Sequence, residues 1–220
     1  MPSSPEIFQL KISLLGISPM IWRRVLVSSS TALRELHGIL QVAMGWGGIR
    51  LFRFDIRAVD YGPWELHAAN PNIPLSDFEF RQNDRFSYIY DMGDYWRHEI
   101  RVEAVFDADP KKSYPICTGG AGACPPEDCG GPEGYLARRD GANGYDAWQD
   151  LEALALFGQD LLDRHDTGRR LEDLALDDLE YVLDRMKARE PYLEASFSRR
   201  DVNTQLRDGH HRELMHQQLM

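Results

Sequence analysis

Residues 96–106 alternate without a slip. Trp96, His98, Ile100, Val102, Ala104 and Phe106 fall on one side, and Arg97, Glu99, Arg101 and Glu103 on the other. A period of two over that length is a β-strand with one face in a core and the other in water. It also fixes the register, since a slip of one residue would turn Trp96 and Ile100 to solvent. Residues 86–90 precede it across Asp91-Met92-Gly93-Asp94, a sequence that closes a hairpin. Such a strand needs neighbours on both sides and a layer over its apolar face.

The rest of the chain supplies them. Residues 8–15 place Phe8, Leu10, Ile12 and Leu14 on one face, and Gly16-Ile17-Ser18-Pro19 breaks the run. Residues 21–27 resume it, with Ile21, Arg23, Val25 and Val27 opposite Trp22, Arg24 and Leu26. Residues 51–59 add a further strand through Phe52, Phe54, Ile56 and Ala58. Between these lies one strong helix, whose N-cap candidates are Ser28, Ser29, Ser30 and Thr31. Leu33, Leu36, His37, Leu40 and Met44 follow at helical spacing, with Gly45 as its stop. His37 reads as a core-edge histidine. Residues 60–83 and 107–145 are rich in turn formers and read as irregular. Beyond them Trp148, Leu151, Leu154 and Ala155 fit one amphipathic helix, and Leu176, Leu179, Val182, Leu183 and Met186 a second that Pro191 should end.

Strands, one helix, more strands and then helices is an α+β order: a mainly antiparallel sheet packed against helices, with a Gly/Pro/Cys-rich loop and a helical C-terminal part. One domain over residues 6–190 is expected. Residues 191–220 read as a polar tail, partly disordered or helical.

Charge narrows the function. The net charge of -10 counts against indiscriminate nucleic-acid binding. Residues 1–50 nevertheless carry five bases, Lys11, Arg23, Arg24, Arg34 and Arg50, against two acids, so a local DNA-facing surface is one reading. Residues 140–190 carry fourteen acids against six bases. No apolar run approaches the roughly 20 residues that cross a bilayer. The opening Met1-Pro2-Ser3-Ser4-Pro5-Glu6 is no signal peptide, so the cytoplasm is expected.

All three cysteines fall in one loop, as C-x6-C-x4-C at Cys117, Cys124 and Cys129. An odd number argues against a closed disulfide framework. Ordinary packing of small apolar thiols is one reading, and zinc is another, with His98 as fourth ligand because its strand feeds the loop. A redox pair of Cys124 and Cys129 is a third. Pro125-Pro126-Glu127-Asp128 reads as a helix start, and Gly119, Gly120 and Gly122 as an anion nest without the lysine of a P-loop. Asp91 and Asp94 suit the turn itself, and with His98 and Glu99 they also suggest a carboxylate–imidazole cluster. Trp22, Trp46 and Trp96 either line a pocket or build the core. The candidate binding surface is therefore Trp22, Arg23, Arg24, Trp46, Asp91, Asp94, Trp96, Glu127 and Asp128.

The stretch Gln9 to Val25, the pairs Leu36-His37 and Gly45-Trp46, the run Tyr90-Asp-Met-Gly-Asp-Tyr-Trp-Arg-His98 and the cysteine loop closely resemble, in this order, the plasmid pRiA4b ORF-3-like family. The resemblance covers roughly residues 6–190. It implies an α+β fold, no established activity, and an association with plasmids or mobile elements. Relatives show His-Leu-His where Arg50, Leu51 and Phe52 stand here, so any ligand those histidines supply is absent. The family's resolvase-like label implies recombination, but no serine or tyrosine recombinase motif is present. Three functions follow: a non-catalytic binding or accessory module with an unknown protein partner, a DNA-associated factor, or a metal-dependent enzyme using His98, Asp94 and the cysteines.

Overall fold

A computed structural model describes residues 6–142, 144–168, 176–193 and 196–215. They gather into two compact units: one comprises residues up to Glu133 together with those from Ser196 onward, the other Gly134–Ala195.

The first unit is built on one antiparallel sheet of seven strands, in the order β4-β3-β5-β6-β1-β2-β7. In chain order these are β1 (Glu6–Leu14), β2 (Trp22–Ser28), β3 (Phe52–Ile56), β4 (Val59–Tyr61), β5 (Arg85–Tyr90), β6 (Trp96–Asp107) and β7 (Ile116–Ala121). The long alternating strand β6 sits near the centre, between β5 and β1. Its register pairs Trp96 with Tyr90, His98 with Tyr88 and Leu14, and Ile100 with Phe86 and Ile12. The alternation therefore lays one continuous apolar face from β3 to β2, and α1 (Leu33–Met44) covers it with Leu33, Leu36, Ile39 and Leu40, all without solvent exposure. Gly45 ends α1 in the left-handed conformation at φ 106. Ser28–Thr31 do not cap it: the N-cap is Ala32, with no side-chain bond, and Thr31 instead accepts Leu75 N–H through its carbonyl.

Two stretches read as irregular hold structure. Residues 60–83 contain β4 and two short 3-10 turns, and they bring Leu75, Phe78 and Phe80 into the core, with the Phe80 ring stacked on Phe86 at 4.9 Å. The cysteine loop begins as strand β7, paired with β2, and its glycines are needed there. A Cβ on Gly120 would lie 2.8 Å from the Phe197 ring and 2.9 Å from the Arg23 side chain.

Residues 196–215 take the helical form of the expected polar tail, as α5 (Arg199–Asp208) and α6 (His210–Leu214) on the first unit, burying Val202, Leu206 and His211. Asn203 explains why a polar helix docks: its amide oxygen accepts Cys117 N–H and its amide nitrogen donates to Cys117 C=O, both at 2.8 Å. The side chain imitates a neighbouring strand and closes the free edge of β7. Asn203→Leu should therefore cost about 2–4 kcal/mol, two bonds to a buried backbone being lost, and chemical denaturation of the pure variant measures it. An unchanged midpoint would mean that the edge is held by other contacts.

The second unit carries the remainder of α2 (Gly131–Ala142), then α3 (Tyr145–Thr167) and α4 (Leu176–Leu193). The helix expected at Pro125 begins instead at Gly131. Pro191 lies inside the last turn of α4, which runs on to Leu193. Asp150 of α3 is fully buried and paired with Arg185 and Arg189 of α4. The face expected to be apolar and covered is instead open at Trp148 and Leu151. Among the described residues no helix is long and apolar enough to cross a membrane.

Candidate functional site

The motifs scattered along the sequence meet at one end of the sheet. The turn after β5 places Asp91 and Tyr95 at positive φ, 58° and 54°, a conformation costly for side chains larger than glycine. It is held because Asp91 Oδ1 accepts Gly93 N–H at 2.8 Å and Asp94 N–H at 3.3 Å. Onto this turn docks the second half of the cysteine loop. Asp94 Oδ2 accepts Gly130 N–H at 3.2 Å, and Gly131, at φ +67, approaches so closely that a Cβ would lie 2.3 Å from Asp94 O. The same loop reaches the end of α1, where Trp46 Nε1 donates to Pro125 O at 2.9 Å.

Glu127 is the keystone. Its carboxylate accepts the Tyr90 hydroxyl at 2.5 Å and Gly47 N–H at 3.3 Å. Burial, then the adjacent Glu127 charge, raise the Tyr90 phenol above its ordinary value, so Tyr90 is a donor at physiological pH. Trp46 stacks on Tyr90 with centroids 5.0 Å apart. Arg50 spans the site, bonded to Asp128 at 2.6 Å and 3.9 Å from Asp91 Oδ2. Beside Arg50 and Asp91 opens a cavity of about 320 Å³ walled by Ile49, Arg50, Leu51, Glu65, Asp91, Met92 and Gly93.

Trp46, Asp91, Asp94, Glu127 and Asp128 thus come together, with Trp96 fully buried beneath at 5.8 Å from Trp46. Trp22 and Arg24 do not join them. They lie on the other face of β2, where Lys11 and Arg24 flank the Trp22 ring and Arg24 pairs with Glu103 at 2.5 Å. Arg23, expected on a binding surface, is 2% exposed. It donates to the carbonyls of Ala43, Trp22 and Ala121 at 2.7, 2.8 and 3.0 Å and lies 4.3 Å from the Phe197 ring. Its work is to tie the last turn of α1 to the sheet. Tyr90, Glu65 and Met92 were missed. Tyr90 and Met92 stood within the quoted hairpin motif, whereas Glu65 gave no signal in the sequence.

His98 belongs to the core. It faces α1 between Tyr88 and Leu14, its Nδ1 lies 3.3 Å from Tyr88 O, and burial lowers its pKa to about 4. Burial also raises the Cys117 thiol, and the Cys124 thiol well above its ordinary value despite Arg23, so both are protonated near neutrality. None of the cysteines is in a disulfide, and no three His, Cys, Asp or Glu side chains gather to hold a metal ion among the described residues. The residues present do not fit a zinc site.

Comparison with known proteins agrees with the convergence of motifs. Residues 6–155 match the plasmid pRiA4b ORF-3-like proteins. The chain belongs to this family. The family match runs from β1 into α3 and so includes every residue of the site above. Within reach of it, the uncharacterized protein y4hQ of Sinorhizobium fredii is 37% identical over 137 residues, 59% of this chain and 70% of that one. A protein of unknown function from Methanosarcina mazei, MM3350, has a crystal structure similar to this fold with a TM-score of 0.61. It is 30% identical, over 65% of this chain and 84% of that one. The family is thus uncharacterized, and the site must be read from its own chemistry.

Proposed function

We propose that the protein is a non-catalytic binding module that receives a basic side chain of a partner protein in the Glu65–Asp91 cavity. The observation that carries this is the charge inside it. Glu65 and Asp91 line the wall, and Arg50, the one cation among the described lining residues, is shared between Asp128 and Asp91, so Glu65 is the acid left without a lining cation of its own. Ile49, Leu51 and Met92 suit the aliphatic stem of Lys or Arg, which buries its methylenes while its head stays polar. Trp64, next in the chain to Glu65, is 81% exposed, an aromatic of the kind that anchors interfaces and attracts cations. Reaction chemistry has less support, since the nearby thiols are protonated and His98 is sealed from solvent.

The DNA reading is weakened by the same accounting. Arg23 is buried, Arg24 is held by Glu103, Arg34 by Asn72 and Arg50 by Asp128. The association with plasmids or mobile elements then concerns where such a partner is encoded, an inference from family company alone.

Calorimetric titration with blocked Gly-Lys-Gly and Gly-Arg-Gly peptides, against Gly-Glu-Gly, tests the reading. Saturable binding of the basic peptides alone, at least tenfold weaker in Glu65→Gln, is expected. Equal heats for all three peptides, or a Glu65→Gln variant that binds like the parent, would overturn it. Binding of duplex DNA at low salt would favour the second reading instead.

A further inference from the structure

The helices of the second unit present a surface that the cavity does not involve. α3 and α4 meet around buried Asp150, which is paired with Arg185 and Arg189. Of their apolar residues, Trp148, Leu151, Leu156, Leu162, Leu176 and Tyr181 are each more than half exposed. Between the helices runs a groove of about 290 Å³ with Leu156, Phe157, Leu179 and Val182 along it and Asp160 and Asp178 among its walls. Isolated exposed leucines are ordinary; a groove of them joined to a stripe on both helices marks an interaction surface.

We propose that this groove docks an amphipathic helix of a partner protein whose polar face is cationic. The apolar walls set the shape, because a helix lying in a groove offers anchors at i, i+3, i+4 and i+7. Charge sets the sign. α3 and α4 together carry eleven carboxylates against four Lys and Arg. Those four cations are already paired: Arg185 and Arg189 with Asp150, Arg164 with Asp160, and Lys187 with Asp184 at 3.7 Å. Among the described residues no Lys or Arg lines the groove. The field above it is therefore negative. It repels a second copy of the same acidic surface, an anionic membrane and nucleic acid, and attracts a basic helix.

The full-length protein tests this with a dye-labelled peptide that carries leucines at i, i+3, i+4 and i+7 and lysines elsewhere, read by fluorescence anisotropy. The control peptide keeps the leucines and replaces every lysine by glutamate. The lysine peptide should bind saturably and the glutamate peptide at least tenfold more weakly, with affinity falling as salt is raised. Leu156→Ser should weaken binding at least tenfold and Asp178→Asn about threefold, both variants retaining the parent circular dichroism spectrum. Leu156→Ser should leave titration of the Glu65 cavity unchanged, which separates the two sites. Equal binding of both peptides, no binding, or indifference to Leu156→Ser would overturn the proposal. Concentration-dependent self-association abolished by Leu156→Ser would also overturn it, by assigning the groove to a second copy.

Discussion

Gly38→Ala should destabilise the protein by about 3 kcal/mol, a steric effect of overpacking at a close contact. Helix propensity alone predicts the opposite sign, since alanine is favoured over glycine within a helix by about 1 kcal/mol. The structure decides between them. Gly38 faces α6 from the middle of α1, and a Cβ there would stand 2.0 Å from His211 O and 3.2 Å from Met215 N. Both are backbone atoms, so no rotamer change relieves the contact. Either α6 shifts away, giving up the burial of His211, or α1 moves off the sheet. For a chain of this size the loss corresponds to a fall in Tm of about 6–12 °C. A scanning calorimetry trace with Tm raised or unchanged would show that α6 does not lie on α1 as described.

Acid should begin to destabilise the protein above the pH at which carboxylates titrate. Two imidazoles are fully buried and held neutral. Burial first, then the charge of Arg34, lowers the His37 pKa to about 3, and burial lowers that of His98 to about 4. Both values lie below the roughly 6.5 of an unfolded chain. The stability these groups contribute is therefore complete above pH 6.5 and is lost as pH falls toward 4 and then 3. At pH 5 each costs about 2 kcal/mol relative to neutral pH, so about 4 kcal/mol together. Glu103 acts in a lower window. Its bond from Arg24 and those from Gln9 and Arg101 lower its pKa to about 2, so its contribution is lost only between about pH 4.5 and 2. Urea denaturation at pH 7 and pH 5 measures the histidine part. Equal unfolding free energies at the two values would mean that His37 and His98 reach solvent.

How much of this was legible in the sequence depends on where the information lay. The α+β order was legible from periodicity: β6 alternates from Trp96 to Val102 as its buried face requires, the register against β1 then shifting so that Phe106 is 38% exposed, and α1 runs from Leu33 to Met44 with Gly45 at its end. Arg23 was not, because an arginine in an alternating strand looks like a solvated edge. What neutralises its burial is a set of carbonyls from α1, β2 and β7, far apart in the chain. The docking of α5 was not legible for a related reason. Its buried stripe is short, Val202 and Leu206, and its firmest tie to the sheet is the polar Asn203. His98 shows the limit of reasoning from ligand types. Alternation placed it on the inward face of β6, and that placement, rather than its nearness to cysteines in sequence, decides its chemistry. For the site, the motifs named Trp46, Asp91, Asp94, Glu127 and Asp128, but only folding joins them through Tyr90 and Arg50, and of the five Asp91 alone lines the cavity.

The central claim is that this cavity receives a basic side chain. A two-dimensional amide NMR titration of the intact protein with blocked Gly-Lys-Gly tests it most directly. Saturable shifts confined to the amides of Ile49–Leu51, Glu65 and Asp91–Gly93, and absent in Glu65→Gln, are the predicted result. Shifts elsewhere in the protein, or none at saturating peptide, would contradict it.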